Sequence, residues 1–258
     1  AASDVYKRQD EYVLHHPGGE DPYFDLRPST QEAWGCTDFI FDGNGATFVV
    51  DPKHLFLIQS CERIQIKNLH VLYKHRVASR GVVREADGIK YIEIHPDYRN
   101  AIGANPEYHH IDALHQYAHR EDNFRWKQYA TKRWLSSVHT DQFLTYDGTG
   151  DRFVANIPAL LHTFDVGEEL ILKHYGYDAN AFNVRHGEDI IISDITAHNV
   201  PGMFGWVGGV ERGIMFHNNA IRNDPKDPLA FVSASHDGFN VGSAGGDIIV
   251  TNNWVQHN

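Results

Sequence analysis

One hydropathic pattern returns three times between Gly187 and Asn258. Each copy has a polar or glycine lead-in, a short β-prone run, then a small polar residue, often Asn or Asp. The copies run from Glu188 to Ile195, from Glu211 to Asn218 and from Gly246 to Asn253. Self-similarity at a spacing of roughly 20–50 residues indicates stacked repeats. Because the unit is a strand with its turns, each copy reads as one coil of a parallel β-helix.

The same signature opens earlier in the chain. Cys36-Thr37-Asp38-Phe39-Ile40-Phe41-Asp42-Gly43 matches Cys61-Glu62-Arg63-Ile64-Gln65-Ile66-Lys67-Asn68, 25 residues later, with cysteine upon cysteine. Ala46 to Val50 and His54 to Ile58 read as further strands of the same turn. Stacked coils lie ~4.8 Å apart with like residues above like, so the cysteines form a small apolar ladder, a disulfide or a metal site.

After Tyr73 the repeat breaks. Gly81 to His95 alternates apolar and polar residues around Ala86-Asp87-Gly88, which predicts an antiparallel hairpin. Gln142 to Tyr146 and Arg152 to Ile157 predict a second hairpin across Asp147-Gly148-Thr149-Gly150, and Phe164 to Lys173 a further strand. A short helix is expected from Pro106 to about Arg120, started by Asn105-Pro106. The predicted fold is therefore all-β: parallel β-helix coils over 10–80 and 177–258, with an inserted antiparallel β-rich subdomain over 81–176.

Asp4-Val5-Tyr6-Lys7-Arg8-Gln9 is the translation of GATGTGTATAAGAGACAG, which resembles a transposon adapter used in sequencing libraries. Residues 1–9 are therefore excluded from the fold reading. On that basis the chain is expected to be a metagenomic-type fragment whose natural N-terminus is missing and whose Asn258 is not a true C-terminus.

Composition narrows the function classes. The 258 residues suffice for one large all-β domain or two modest ones. No apolar run approaches the ~18 residues of a membrane span. A formal charge of −11 argues against duplex nucleic acid or an anionic membrane as partner. It also disfavours a polyanionic glycan such as pectin, unless a local basic cleft overrides it. Cys36 and Cys61 alone make no disulfide framework.

Of eighteen histidines, His115 and His119 have the i, i+4 spacing of metal ligands on a helix. Without a Glu partner or third ligand they read as a solvated or aromatic-packed face, and no metal or other cofactor is expected. Gly202 to Gly209 and Gly242 to Gly246 precede no helix, so they read as coil turns rather than phosphate cradles. The stretch that can carry chemistry is Ser233 to Val241. There Asp237 can serve as a general acid for glycoside cleavage if a neighbouring carboxylate and partial burial raise its pKa. The alternative is an ordinary Asp237-Gly238 turn.

Phe41-Asp42-Gly43-Asn44-Gly45-Ala46-Thr47, Phe56-Leu57-Ile58-Gln59-Ser60-Cys61 and Ile64 to Leu69 resemble glycoside hydrolase family 110. Members of that family, within the pectin-lyase-like superfamily, are α-1,3-galactosidases built as right-handed parallel β-helices with an inserted β-barrel. Leu72-Tyr73-Lys74-His75 and Phe164-Asp165-Val166-Gly167-Glu168 fall where the family leaves and rejoins its helix. Pro201-Gly202-Met203, His236-Asp237-Gly238 and Gly246-Asp247-Ile248 match later coils. The resemblance covers nearly all of Ala33 to Asn258. Lys74-His75 replaces a usual Asp-Pro and Phe239-Asn240 a common Ile-His, and both departures bear on the sugar recognised.

The resemblance implies a secreted protein, extracellular or periplasmic, that hydrolyses a glycan with inversion, with Asp237 as catalytic acid. It implies an adjacent Asp pair one coil later, just after Asn258, and hence negligible turnover by these 258 residues. Inverting carboxyls stand roughly 6.5–9.5 Å apart. Directly stacked residues are too close at ~4.8 Å, whereas a two-residue offset gives a diagonal of about 8 Å. Trp206 is a candidate for stacking on a sugar face, and His198, His236 and Asn240 for bonding hydroxyls. The rival classes are another β-helix hydrolase or a polysaccharide lyase, which needs a basic neutraliser, and a non-catalytic surface or adhesin β-helix.

Overall fold

The computed structural model describes residues 11–14, 22–28, 35–98, 113–118, 125–127, 144–146, 152–155, 164–173, 179–209, 212–234, 237–242 and 245–256. Five strands come first: β1 (Glu11–Val13), β2 (Phe24–Asp25), β3 (Thr37–Val50), β4 (Phe56–Gln59) and β5 (Glu62–Tyr73). Seven more follow as β6 (Ala78–Ala86), β7 (Ile89–Ile94), β8 (Ala113–Ala118), β9 (Arg125–Lys127), β10 (Leu144–Tyr146), β11 (Arg152–Ala155) and β12 (Glu169–Lys173). The last group is β13 (Phe182–Arg185), β14 (Glu188–His198), β15 (Gly205–Gly208), β16 (Arg212–His217), β17 (Ala220–Ile221), β18 (Phe239–Val241), β19 (Ile248–Thr251) and β20 (Trp254–Val255). The described chain is all-β with parallel sheets and contains no α-helix.

Two compact units divide it. One comprises Ala1–His75, Tyr177–Pro228 and Val232–Asn258, and the other Arg76–Gly176 with Leu229–Phe231. In the first, strands are dealt alternately to two parallel sheets. The larger runs β1-β3-β5-β14-β16-β19 and the smaller β2-β4-β13-β15-β18. Ile64, Ile190, Ile214 and Ile248 are consecutive partners across β5, β14, β16 and β19, so the copies begun at Glu188 and Gly246 stack as read and the copy begun at Glu211 is corrected by one residue, to Arg212.

The small polar residue that closes each copy has a backbone reason. Asn68, Asp194, Asn218 and Asn252 all have φ between 52° and 57°, the left-handed region that Asn and Asp tolerate best. The chain turns there and the inward-facing phase slips by one. Ile64 and Ile66 are buried before Asn68, then Leu69, Val71 and Tyr73 after it; Ile190 and Ile192 precede Asp194, with Ile195 and Ala197 beyond. Asn68 Nδ2 also donates to Asp42 Oδ1 at 3.0 Å, and Asn218 Nδ2 to Asp194 Oδ1 at 3.3 Å, tying neighbouring layers at the corner.

The core between the parallel sheets is apolar and aromatic. Phe24, Phe56 and Phe182 stack face to face along the smaller sheet, with ring centroids 4.5 and 5.5 Å apart. Gly205 stands next in that register. A Cβ there would lie 2.8 Å from the Phe216 ring, so the missing side chain admits Phe216 from the other sheet, which packs 5.1 Å from Phe239. Cys36 and Cys61 are both free thiols, and Cys61 Sγ donates to the Leu26 carbonyl at 2.9 Å.

The second unit holds one antiparallel sheet in the order β10-β11-β7-β6-β12-β8-β9. The hairpin expected from Gly81 to His95 is β6 with β7, turned at Asp87 and Gly88, both with positive φ. The second expected hairpin is β10 with β11. The helix expected over 106–120 is corrected: Ala113–Ala118 is strand β8, paired to β12 from Leu170↔Gln116 to Lys173↔Ala113. The unpaired edge of β12 supplies backbone partners that outweigh a weak local helix start. His115 therefore lies on a strand, and His119 lies outside the described residues.

Candidate functional site

The smaller parallel sheet presents the site. In β13, Phe182 and Val184 point into the core, which puts Asn183 and Arg185 on the opposite face. Register then places Asn183 beside Trp206, and Trp206 beside Asn240, on three successive strands. Asn240 Nδ2 donates to Asp237 Oδ2 at 3.2 Å, across the turn that leads into β18, and the Asp237 side chain is exposed.

Beside this column Arg185 is held rather than free to swing. Its Nε–H donates to Asn183 Oδ1 at 3.1 Å, and Asn183 is only 3% exposed. Its guanidinium carbon sits 5.2 Å from the Trp206 ring centroid, a cation–π contact. Gly208, the register partner of Arg185, leaves room for that indole: a Cβ there would lie 2.5 Å from its ring. Arg185, His186, Trp206, Gly208 and Gly209 line an open hollow of about 350 Å³.

The expected site residues thus divide into three groups. Asp237, Asn240 and Trp206 come together on the smaller sheet. His198 ends β14 in the larger sheet, where Nδ1 donates to the carbonyls of Arg222 at 3.0 Å and Asn223 at 3.1 Å. Burial lowers the pKa of that imidazole from the usual histidine value. His236 lies outside the described residues. Arg185, His186 and Asn183 were not singled out from sequence. The Arg185–Trp206 pair is 21 residues apart, and only the strand register joins it.

Among the described residues, no group of three or more His, Cys, Asp or Glu side chains converges to hold a metal ion. Among the same residues, no helix is long and apolar enough to cross a membrane. No protein-family model matches the chain, and no curated protein does.

Proposed function

We propose that this chain is part of a right-handed parallel β-helix glycoside hydrolase that inverts configuration while cleaving terminal α-galactosyl residues from glycans. Support for the β-helix comes from the alternation of strands between two parallel sheets, with a left-handed residue at each recurring corner. The family resemblance supplies the sugar and the reaction.

The observation that carries the functional reading is the juxtaposition of an exposed carboxylate with an indole and an amide. Trp206 offers an apolar face to the C–H side of a sugar ring, Asn240 an amide for a hydroxyl, and Asp237 a carboxyl for the glycosidic oxygen. As acid, Asp237 protonates the leaving oxygen while a second carboxylate, offset on the neighbouring layer, activates water on the opposite face of the ring.

The test uses the protein as its native gene encodes it. Hydrolysis of an α-1,3-galactoside is followed by proton NMR, and inversion delivers β-galactose first. Release of α-galactose first, or unchanged turnover in Asp237→Asn, overturns the reading. The nearest alternative, a β-helix hydrolase or lyase acting on another polysaccharide, is favoured by the cationic hollow next to Trp206. It predicts depolymerisation of an acidic chain instead.

A further inference from the structure

We propose that the hollow formed by Arg185, Trp206 and His186 is a subsite for a carboxylate-bearing sugar, the uronate unit of an acidic glycan. The first ground is charge. In a chain with 34 acidic and 23 basic side chains, an exposed arginine readily finds a carboxylate. Arg27, Arg63, Arg84 and Arg212 each do so. Arg185, like Arg222, has none among the described residues: the one hydrogen bond of its side chain there is to the neutral amide of Asn183.

The second ground is preorganisation. Asn183 occupies Nε, and the Trp206 ring lies against the guanidinium at 5.2 Å, so two of the side chain's freedoms are already lost. The terminal amino groups have no acceptor among the described residues. A planar guanidinium fixed in this way is suited to paired hydrogen bonds with a carboxylate. The cost of ordering it falls on folding rather than on binding.

The third ground is that a sugar platform lies alongside. Trp206 is half-buried, lines the same open hollow of about 350 Å³, and gives a pyranose ring an apolar surface while its carboxylate meets Arg185. His186, exposed at the rim, adds a ring N–H donor. A local cationic hollow on an otherwise acidic protein concentrates field on one anionic group, which is how net charge and ligand charge can share a sign.

The proposal does not depend on Asp237, so its failure and that of the hydrolase reading are separable. Calorimetric titrations compare oligogalacturonates and oligoglucuronates with neutral galacto-oligosaccharides and sulfated galactans of matched length. At least one uronate series is expected to bind at least tenfold more tightly than the neutral chains, and more weakly in 0.5 M salt than in 0.05 M. Arg185→Gln is expected to raise the Kd for uronates by about tenfold or more, with Arg185→Lys intermediate because it keeps the charge and loses the planar fork. Arg84→Gln, on strand β6, should leave binding unchanged. Circular dichroism checks that each variant folds, and Arg185→Lys carries the test if the Gln variant does not. Equal affinity for neutral chains, unchanged binding in the Arg185 variants, preference for sulfated over uronate chains, or no binding of either uronate overturns the assignment.

Discussion

Asn219 and Asn253 stand one above the other on successive layers, and each binds the backbone of its neighbour. Asn219 Oδ1 accepts from the Ile195 N–H at 3.1 Å, and its Nδ2 donates to the Ile192 carbonyl at 3.0 Å. One layer on, Asn253 Oδ1 accepts from the Asn219 backbone N–H at 2.9 Å, and its Nδ2 donates to the Phe216 carbonyl at 2.9 Å. Asn219 is 1% exposed, so these bonds satisfy groups that water does not reach.

Asn219→Ala should therefore be costly. It strands the Ile195 N–H and the Ile192 carbonyl as well as opening a small void. The expected loss is about 2–3 kcal/mol, read as a fall in Tm of roughly 4–10 °C for a chain of this size. A variant as stable as the parent would show that the corner is held by other contacts.

Gly205→Ala tests the aromatic packing. The new Cβ would stand 2.8 Å from the Phe216 ring, closer than real contacts allow. Overpacking of this kind costs about 1–3 kcal/mol. Combining it with Phe216→Leu should return part of that loss, because the two sites share one volume. Strictly additive urea midpoints would disprove the contact.

In the protein as its native gene encodes it, Asp237→Asn is expected to lower kcat on an α-galactoside by roughly 10²–10⁴-fold. Asn240→Ala removes a hydrogen bond to the same carboxylate, and about a tenfold loss is expected, equivalent to about 1.4 kcal/mol. Steady-state kinetics of the two variants and their double mutant should show less than additive losses.

His198 makes stability depend on pH in a definite direction. Burial holds its pKa below the ordinary 6.5, while the Arg222 backbone contact and Asp224 pull the other way. The unfolded imidazole thus takes up a proton first. The contribution of His198 is intact above pH about 6.5 and declines as pH falls towards the lowered folded value. Urea midpoints at pH 7.5, 6 and 5 should fall less steeply in His198→Gln than in the parent. An equal or steeper slope would show that this half-buried ring is not responsible.

Parallel pairing was legible from residues alone because stacking puts like upon like. The copies beginning at Glu188 and Gly246 fall in the observed register, whereas the one beginning at Glu211 is a residue early, since Glu188 pairs with Arg212 and Ile190 with Ile214 and thence Ile248. Cys36 precedes Thr37 as Cys61 precedes its partner Glu62. The hairpin at Asp87-Gly88 was legible too, since alternation and a positive-φ turn are both local signals. Strand β8 was not, because Ala113–Ala118 takes its conformation from β12, a distant edge. The left-handed φ of Asn68, Asp194, Asn218 and Asn252 explains why a small polar residue closes each copy, a regularity the sequence displayed without its cause.

What residue order determined by itself was periodicity: where the repeating strands and local hairpins lie, though not strand β8. What only the tertiary structure decided was lateral company. Asn183, Arg185, Trp206 and Asn240 belong to three strands, separated by loops of different length, and one residue of register slip would send each of them to the other face. Short-range hydropathy encodes the inward or outward sense of a side chain. Its neighbour across the sheet follows from the packing of the whole core, which is why the expected sugar-stacking indole was named from sequence and the arginine against its face was not.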